Sequence, residues 1–287
     1  MSLYEVHHRP DLDSPVLILG LEGWVDAGIG GAQAVEQIRR TRELVTVATF
    51  DTDLLLDFRA RRPVMRLVDG INTELDWPEI QLVATTDVDG HDTLLLLGAE
   101  PDARWGQFCS AVVDLAHDFG VGLIATIGAY PAATPHTRPC RLTATATADQ
   151  LLDPTQVVDG ELDIPAGITA AIERLGADAG IPAIGIWAQV PHYAASMPYP
   201  EASVMLLEGL RDRADRRFDA GSLPTEALEA RERLDELVTA SEEHMELVRQ
   251  LEALHDRMEA DIDLPTGDQL AAQLQDFLRE QEGRGDR

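Results

Sequence analysis

The chain has 287 residues, of which 45% are hydrophobic, and a formal net charge of −28. This composition supports a sizeable core in one large domain or in a domain with an extension. All 23 basic residues are arginines, which excludes a Schiff-base lysine, a lysine general base and a P-loop lysine. Arginine in place of lysine is typical of a GC-rich coding sequence, with salt adaptation as the alternative. So acidic a surface repels polyanions, which argues against nucleic acids and anionic membranes as partners.

The cysteines and the N-terminal sequence indicate a compartment. Cys109 and Cys140 are the only cysteines, and without a C-x-x-C pair they form no zinc or redox motif. Isolated cysteines are typical of a reducing compartment. The N-terminal segment MSLYEVHHRP lacks the apolar core of a signal peptide, and no apolar run reaches the roughly 18 residues of a membrane span. We therefore expect a cytoplasmic protein.

Short apolar runs alternate with amphipathic segments through about residue 215, and the first sixty residues resemble a βαβ unit. The apolar runs predict strands at 16–21, 44–50, 80–84, 93–97, 121–127 and 183–188. The amphipathic segments predict helices at 32–40, 105–119, 168–177 and 201–213. Continuous rather than alternating apolar strands indicate a largely parallel sheet that is covered on both faces. The predicted fold class is α/β.

The composition changes after a short predicted linker, Phe218–Pro224. From Thr225 onward, apolar residues at three–four spacing predict one long amphipathic helix that ends at the breaker 264–268. A shorter apolar stripe at 270–278 predicts a second helix and hence a helical hairpin. We expect an α/β domain at 1–217 and a C-terminal helical extension at 218–287. The extension packs on its own domain or on a sister subunit, or it serves as a docking arm for another protein.

Three loops follow predicted strands at the edge of the sheet where open α/β proteins bind ligands. They are 21–31, 128–139 and 190–193, and the last runs into a proline-rich corner. The candidate binding residues in these loops are Trp24, Asp26, Gly28, His136, Thr137, Arg138, His192 and Tyr193.

Each candidate has a ligand-binding interpretation and a structural one. Asp26 can cap the following helix, and Trp24 can cover a flat ligand or simply pack. Arg138 can grip a carboxylate or phosphate in a bidentate manner, and His136 can transfer a proton near neutral pH. The structural alternative is that both side chains pair with the protein's own carbonyls and carboxylates. For His192 and Tyr193 the alternative is a corner filled by aromatic rings.

Several chemistries lack a sequence signature. Ser196 and Ser203 are not in a G-x-S-x-G elbow, and neither cysteine has the context of a nucleophile. The histidines are adjacent at His7 and His8 or otherwise isolated, so the sequence predicts neither a metal site nor a cofactor. No catalytic residue is assigned.

At these loops the sequence resembles the PAC2 family, named for a proteasome assembly chaperone, and in particular its actinobacterial group. The residues that carry the resemblance are Glu22–Gly28 (EGWVDAG), Pro135–Pro139 (PHTRP) after Gly128-Ala129, and Val190–Tyr193 (VPHY). It covers about residues 1–215, and the helical tail resembles the extension of actinobacterial members. The resemblance implies a three-layer phosphorylase/hydrolase-like α/β fold. It also implies self-association, with a trimer as one arrangement, and no established enzyme activity.

Two functions remain open. The first is a non-enzymatic assembly-chaperone-like or protein-interaction role, with proteasome subunits among the partners that the resemblance implies. The alternative is a small-molecule binder or a phosphorylase- or hydrolase-type enzyme that uses the loops around Trp24, His136 and His192. A fold alone does not decide between them.

Overall fold

An eight-stranded sheet forms the centre of the molecule in the computed structural model, which describes residues 3–23, 25–153, 157 and 160–262. The strands are β1 Tyr4–Val6, β2 Val16–Glu22, β3 Val45–Phe50, β4 Val64–Val68, β5 Ile71–Asp76, β6 Ile80–Thr86, β7 Asp92–Ala99, β8 Leu123–Ala132, β9 Leu142–Ala146 and β10 Ala183–Pro191. The helices are α1 Gly30–Thr41, α2 Thr52–Leu55, α3 Trp105–Asp118, α4 Ile168–Asp178, α5 Pro200–Ala214, α6 Leu223–Thr239 and α7 Glu242–Ile262.

The sheet is largely parallel, as its apolar strands predicted. Its order is β1-β3-β6-β7-β2-β8-β10-β9, and the four consecutive strands β7, β2, β8 and β10 pair in parallel. β6 and β7 form the antiparallel hairpin expected around Asp89-Gly90. β3 is not the neighbour of β2, because this hairpin lies between them. The predicted βαβ unit is therefore split by two strands.

Helices cover both faces of the sheet and bury two separate cores. On one face α1 and α5 pack over the sheet, with Ile38 and Leu206 fully buried. On the other face α3 and α4 do the same, with Phe108 and Ile172 fully buried. Burying apolar surface on both sides explains why the central strands have no polar face. The predicted three-layer α/β fold is confirmed.

The C-terminal helices differ from the prediction of one long helix. The chain turns at Ala240-Ser241, so α6 and α7 form the hairpin themselves. The hydroxyl of Thr239 donates to the carbonyls of Asp235 and Glu236 in the last turn of α6. Ser241, followed by two glutamates in the first turn of α7, starts the new helix. Serine before acidic residues is a helix-start signal that the apolar spacing concealed. The predicted helix at 270–278 lies outside the described residues.

α6 and α7 pack on their own chain. Leu223 and Leu234 of α6 belong to the core that α1 and α5 form, and Val248 and Leu251 of α7 are buried. Of the helices in the described ranges, none is both long enough and apolar enough to cross a membrane.

A substitution at Gly98 in β7 tests how tightly the β6–β7 hairpin is packed. Its φ is +124°, and a Cβ there would lie 2.2 Å from the carbonyl oxygen of Glu79. We expect Gly98→Ala to lower the free energy of unfolding by about 3 kcal/mol, because strain and a backbone clash combine. The control is Gly106→Ala in the first turns of α3, where a Cβ meets nothing within 4 Å. In urea unfolding, the free energy of unfolding of Gly106→Ala should equal that of the wild-type protein or exceed it by up to ~1 kcal/mol.

Candidate functional site

Asp26 caps α1, as its position before the helix predicted. Its carboxylate accepts hydrogen bonds from the backbone N–H groups of Gly31 (2.8 Å) and Ala32 (2.9 Å). Burial raises the pKa of Asp26, and these hydrogen bonds together with one from Ala129 act in the opposite direction. A carboxylate thus already occupies the amide groups with which a helix start binds phosphate.

Gly28 ties the first loop to the third. Its N–H donates to the carbonyl of Ala195 (2.8 Å), and its carbonyl accepts from the N–H of Tyr199 (2.9 Å). Its φ is +64°, and a Cβ would lie 2.5 Å from the Cβ of Tyr199, so the close approach requires glycine. Trp24, predicted as a lid over this loop, lies outside the described residues.

His136 is buried and has partners on both ring nitrogens. Its Nδ1 lies 2.7 Å from the hydroxyl of Tyr193, which also accepts from the backbone N–H of His136 at 2.9 Å. Its Nε2 lies 3.1 Å from the carboxylate of Asp235 on α6. Burial raises the pKa of Tyr193 to about 12, so the phenol stays neutral near pH 7. This histidine therefore links the second loop, the third loop and α6.

Thr137 and Arg138 bind the side chains of α7. The guanidinium of Arg138 donates to both oxygens of Asp256 (2.8 and 2.9 Å) and to Glu252 (3.2 Å). The hydroxyl of Thr137 donates to the same glutamate at 2.5 Å. The bidentate grip that the sequence suggested for a ligand is thus made to the protein's own tail. We call Thr137, Arg138, Glu252 and Asp256 the tail clamp.

The ion pair between Arg138 and Asp256 also shifts the pKa values of both side chains. The hydrogen bond from Arg138, followed by its charge, lowers the pKa of Asp256. The hydrogen bond to Asp256 in turn raises the pKa of Arg138. Both groups stay charged across the physiological range, so the clamp persists at neutral pH.

The predicted site residues fall into two adjacent groups. His192 is exposed, and its ring meets that of Tyr193 edge-on with centroids 5.4 Å apart. The group at the junction with α6 and α7 comprises His136, Thr137, Arg138, His192 and Tyr193, whereas Asp26 and Gly28 lie at the start of α1. The junction is filled by protein contacts, and this argues for a structural role of its histidine and arginine.

The sequence interpretation missed the carboxylates that complete the junction. They are Asp235 of α6 and Glu252 and Asp256 of α7. Glu201 was also missed, although it accepts from the N–H of Cys140 (2.9 Å) and from the hydroxyl of Tyr199 (3.0 Å). In so acidic a chain, no spacing pattern marks which carboxylate meets which donor.

The buried thiols are poor nucleophiles. Burial raises the pKa of Cys109 to about 11 and that of Cys140 to about 12, so the reactive thiolate is scarce near pH 7. Within the described ranges there is no cluster of three or more His, Cys, Asp or Glu side chains that could hold a metal ion.

Glu173 on α4 is a buried carboxylate that the sequence interpretation overlooked. It is 9% exposed, and its Oε1 has no hydrogen-bond partner among the described residues. The neighbouring hydroxyl of Thr126 likewise has no partner by strict geometry, yet it lies close enough to Glu173 to act against burial and lower the pKa of that carboxyl. Burial raises the pKa of Glu173 to about 6. Burial of a charged carboxylate is costly, so this site favours the neutral, protonated form of Glu173.

The β4–β5 hairpin presents apolar side chains to solvent. Met65 pairs with Leu75 across the hairpin, and Leu67 lies two residues further along β4, just past a register shift between Arg66 and Leu67. These three side chains are 49%, 45% and 56% exposed. We call Met65, Leu67 and Leu75 the apolar hairpin face. The hairpin also carries Val64, the cross-strand ion pair of Arg66 with Glu74, and the apolar pair of Val68 with Ile71, which are 46% and 66% exposed.

The fold and these contacts define a three-layer α/β protein whose sheet-edge loops are held by a helical tail. The chain belongs to the PAC2 family, whose sequence profile matches residues 20–238. The resemblance seen in the three loop motifs is thereby confirmed. None of the curated proteins matches this chain.

Solved structures of similar proteins support this membership. A Mycobacterium tuberculosis protein of unknown function, Rv2714, is 34% identical with a TM-score of 0.83, covering 90% of this chain and 92% of its own. A Corynebacterium glutamicum protein of unknown function is 32% identical with a TM-score of 0.83, covering 88% and 97%. The Mycobacterium tuberculosis proteasome-assembly chaperone homologue Rv2125 is 30% identical with a TM-score of 0.74, covering 81% and 99%.

Removal of Arg138 should release α7. In Arg138→Ala the carboxylates of Glu252 and Asp256 lose their guanidinium partner, so we expect faster proteolysis and faster amide hydrogen exchange within α7. Arg249→Ala is the matched control, because it removes an arginine of α7 whose one ion pair among the described residues is with Glu246, one turn away. Unchanged protection of α7 in Arg138→Ala would contradict the role of the tail clamp.

The buried carboxylate of Glu173 should make stability depend on pH. Its folded-state pKa of about 6 lies above its ordinary 4.5, so the native state binds this proton more tightly than the unfolded state. The contribution to stability is complete below about pH 4.5 and is lost as pH rises through 6. Glu173→Gln should therefore gain up to about 2 kcal/mol relative to wild type between pH 4 and pH 7.

Urea unfolding at several pH values measures this difference. Glu208→Gln, which changes an exposed carboxylate of α5, controls for the altered net charge. A difference between Glu173→Gln and wild type that stays constant from pH 4 to pH 7 would show that Glu173 does not titrate in this window.

Proposed function

We propose that this protein acts by binding other protein chains, as a cytoplasmic, non-enzymatic, assembly-chaperone-like factor. The observation that carries the proposal is the apolar hairpin face. Met65, Leu67 and Leu75 form a contiguous surface on a hairpin that protrudes from the sheet. Contiguous exposed apolar surface is typical of protein contact sites.

The hairpin gains stability when a partner covers this face. A two-stranded hairpin alone is marginally stable in water, and every residue of β4 and β5 is exposed. Its base is held by the edge-on contact of Phe58 with Trp77 at 5.0 Å. A partner that buries the three apolar side chains removes them from water, which favours association.

Proteasome subunits are the partner class that the comparisons favour, because one similar structure is a proteasome-assembly chaperone homologue. We propose self-association as well, with a trimer as one arrangement. Four arginines occur between 59 and 66 in a chain of net charge −28. Of these, Arg59 and Arg62 form no ion pair with another described residue. A basic segment beside an apolar face suits the acidic surface of a second copy.

The alternative of an enzyme or small-molecule binder at the three loops has less support. In that alternative, His136 would transfer the proton and Arg138 would hold the anion. His136 is instead paired with Asp235, and Arg138 is paired with Glu252 and Asp256. A ligand there would have to displace the C-terminal helices. The protein-interaction role requires no such displacement.

Polar substitution on the apolar hairpin face should weaken binding. We expect immobilised proteasome α-subunits from the same organism to retain the wild-type protein and to retain Leu67→Ser roughly tenfold less well, as for a central contact residue. Val64→Ser is the control, because Val64 is 69% exposed on the opposite face of the same hairpin. Light scattering on the same samples reports the mass of any self-assembly.

The outcomes of these measurements distinguish a proteasome subunit from a second copy of this chain as the binding partner. No capture of the wild-type protein would overturn the proteasome proposal. A reduced mass in Leu67→Ser but not in Val64→Ser would identify the face as a contact between copies. Wild-type behaviour of both variants in both measurements would show that the face is not a binding surface.

A further inference from the structure

The two C-terminal helices share one mostly apolar repeat, whose positions follow each other at alternating steps of four and three residues. A repeat of this kind describes one continuous amphipathic helix that pairs with another. The turn at Ala240-Ser241 interrupts it, so the hairpin divides a stripe that is continuous in the sequence. The positions are Leu223, Ala227, Ala230, Leu234, Leu237, Ser241, His244, Val248, Leu251 and His255.

The turn between α6 and α7 lacks the residues that usually stop a helix. The sequence contains neither glycine nor proline from 225 to 264, whereas Gly120 follows α3 and Gly180 follows α4, both at positive φ. Ala240 has a right-handed conformation, with φ −71° and ψ −11°. The hydrogen bonds of the Thr239 hydroxyl to carbonyls three and four residues earlier are also made by threonines inside helices. A change of backbone conformation confined to this turn would therefore join α6 and α7.

Joining the helices would satisfy groups that the turn leaves without helical partners. The last carbonyls of α6 and the first N–H groups of α7 have no intrahelical partner at the break. The N–H of His244 reaches the hydroxyl of Ser241 only at 3.5 Å. Leu237, a member of the repeat next to the break, is 56% exposed. Both the backbone and the apolar stripe would thus gain contacts in a continuous helix that pairs with another.

Few contacts hold α7 on its own chain. Val248, Leu251 and His255 are the buried side chains of its described part. The tail clamp supplies the rest of the attachment, and its carboxylates Glu252 and Asp256 remain 27% and 52% exposed. Because partly exposed ion pairs contribute little each, α7 can leave its site at a modest cost when an equivalent site receives it.

A second copy of the chain offers that equivalent site. When α7 of one copy lies on the tail clamp of another, it makes the hydrogen bonds and apolar contacts that it makes in the closed chain. Since α7 is antiparallel to α6 in the hairpin, the two opened helices would lie side by side in opposite directions. The Ala240-Ser241 segments of both copies would meet at the centre. Leu237 of each copy would then lie beside the repeat of the other.

We propose that α6 and α7 open into one helix and that two copies exchange α7, each binding the tail clamp of the other. The closed chain and the exchanged dimer contain the same clamp contacts, so protein concentration shifts the balance between them. The apolar hairpin face takes no part in this exchange, which therefore stands independently of the protein-interaction role proposed for that face.

Reversal of the clamp charges in separate chains tests the exchange. Arg138→Asp repels the carboxylates of its own α7, and Glu252→Arg/Asp256→Arg repels its own Arg138, so neither chain forms the clamp within itself or with a like copy. The two chains together restore both clamps, since each exchanged junction combines opposite charges. After co-expression with different tags, we expect capture and native mass spectrometry to recover the mixed one-to-one pair at least tenfold more than either like pair. All three substitutions in one chain restore the clamp within it, and this control should pair no more than the wild-type protein.

A proline at the break tests the opening of the helix. Glu242 is the first residue of α7, a position that tolerates proline, whereas a proline inside a continuous helix removes a hydrogen bond and clashes with the preceding turn. We expect Glu242→Pro in both chains to reduce the mixed pair at least fivefold. Glu242→Gln, which removes the same charge, should leave the mixed pair unchanged.

A second measurement keeps the test decisive if circular dichroism shows that a charge-reversed chain folds poorly. Differently tagged chains with the wild-type clamp are then mixed, with Leu67→Ser in every chain to remove association through the apolar hairpin face. Here Glu242→Pro should form at least fivefold fewer mixed pairs than Glu242→Gln, and equal amounts would overturn the proposal. Equal recovery of mixed and like pairs from the charge-reversed chains would also overturn it. So would a mixed pair that persists with Glu242→Pro.

Discussion

The parallel pairing of β7, β2, β8 and β10 is the constraint on which the rest of the structure depends. Because these strands run in one direction, the loops that follow β2, β8 and β10 meet at one edge of the sheet. Pairing of β2 with β8 stops at Leu19 and Thr126, so the same edge holds both a crevice and a crowded junction. Apolar burial on both faces keeps the strands in register, since a slip of one residue would exchange the two cores.

The excess of acidic residues has a structural use at this edge. Carboxylates of α6 and α7 satisfy His136, Thr137 and Arg138, so the tail is held by charge-assisted hydrogen bonds in addition to apolar packing. Partial exposure limits what each pair contributes. Their joint effect is to fix where the tail lies, and the tail in turn covers the motif that resembled a ligand site.

The apolar hairpin face and the crevice differ in chemistry and location. The apolar hairpin face lies on an excursion between β3 and β6 and suits a macromolecular partner. The crevice lies at the carboxyl edge of the sheet, between β2 and β8, and both acidic and basic side chains line it.

Local signals predicted much of the fold and part of the site. Continuous apolar runs specified the buried strands, and Gly120 ended α3 with φ +66° as its position indicated. Asp26 capped α1 because capping involves residues close in sequence. The β4–β5 hairpin was not predicted, although Asp69-Gly70, both at positive φ, forms the turn between its strands and is a local signal for a hairpin.

By itself the sequence determined the α/β fold class, the family motifs and the exclusion of lysine chemistry, because these follow from composition and from patterns within a few residues. Only the tertiary structure decided what the loop side chains do. Arg138 and Asp256 are 118 positions apart, and many other carboxylates could have been the partner of this arginine. The burial of Glu173 beside Thr126 was likewise decided by packing, since a side chain is buried only once distant segments have come together.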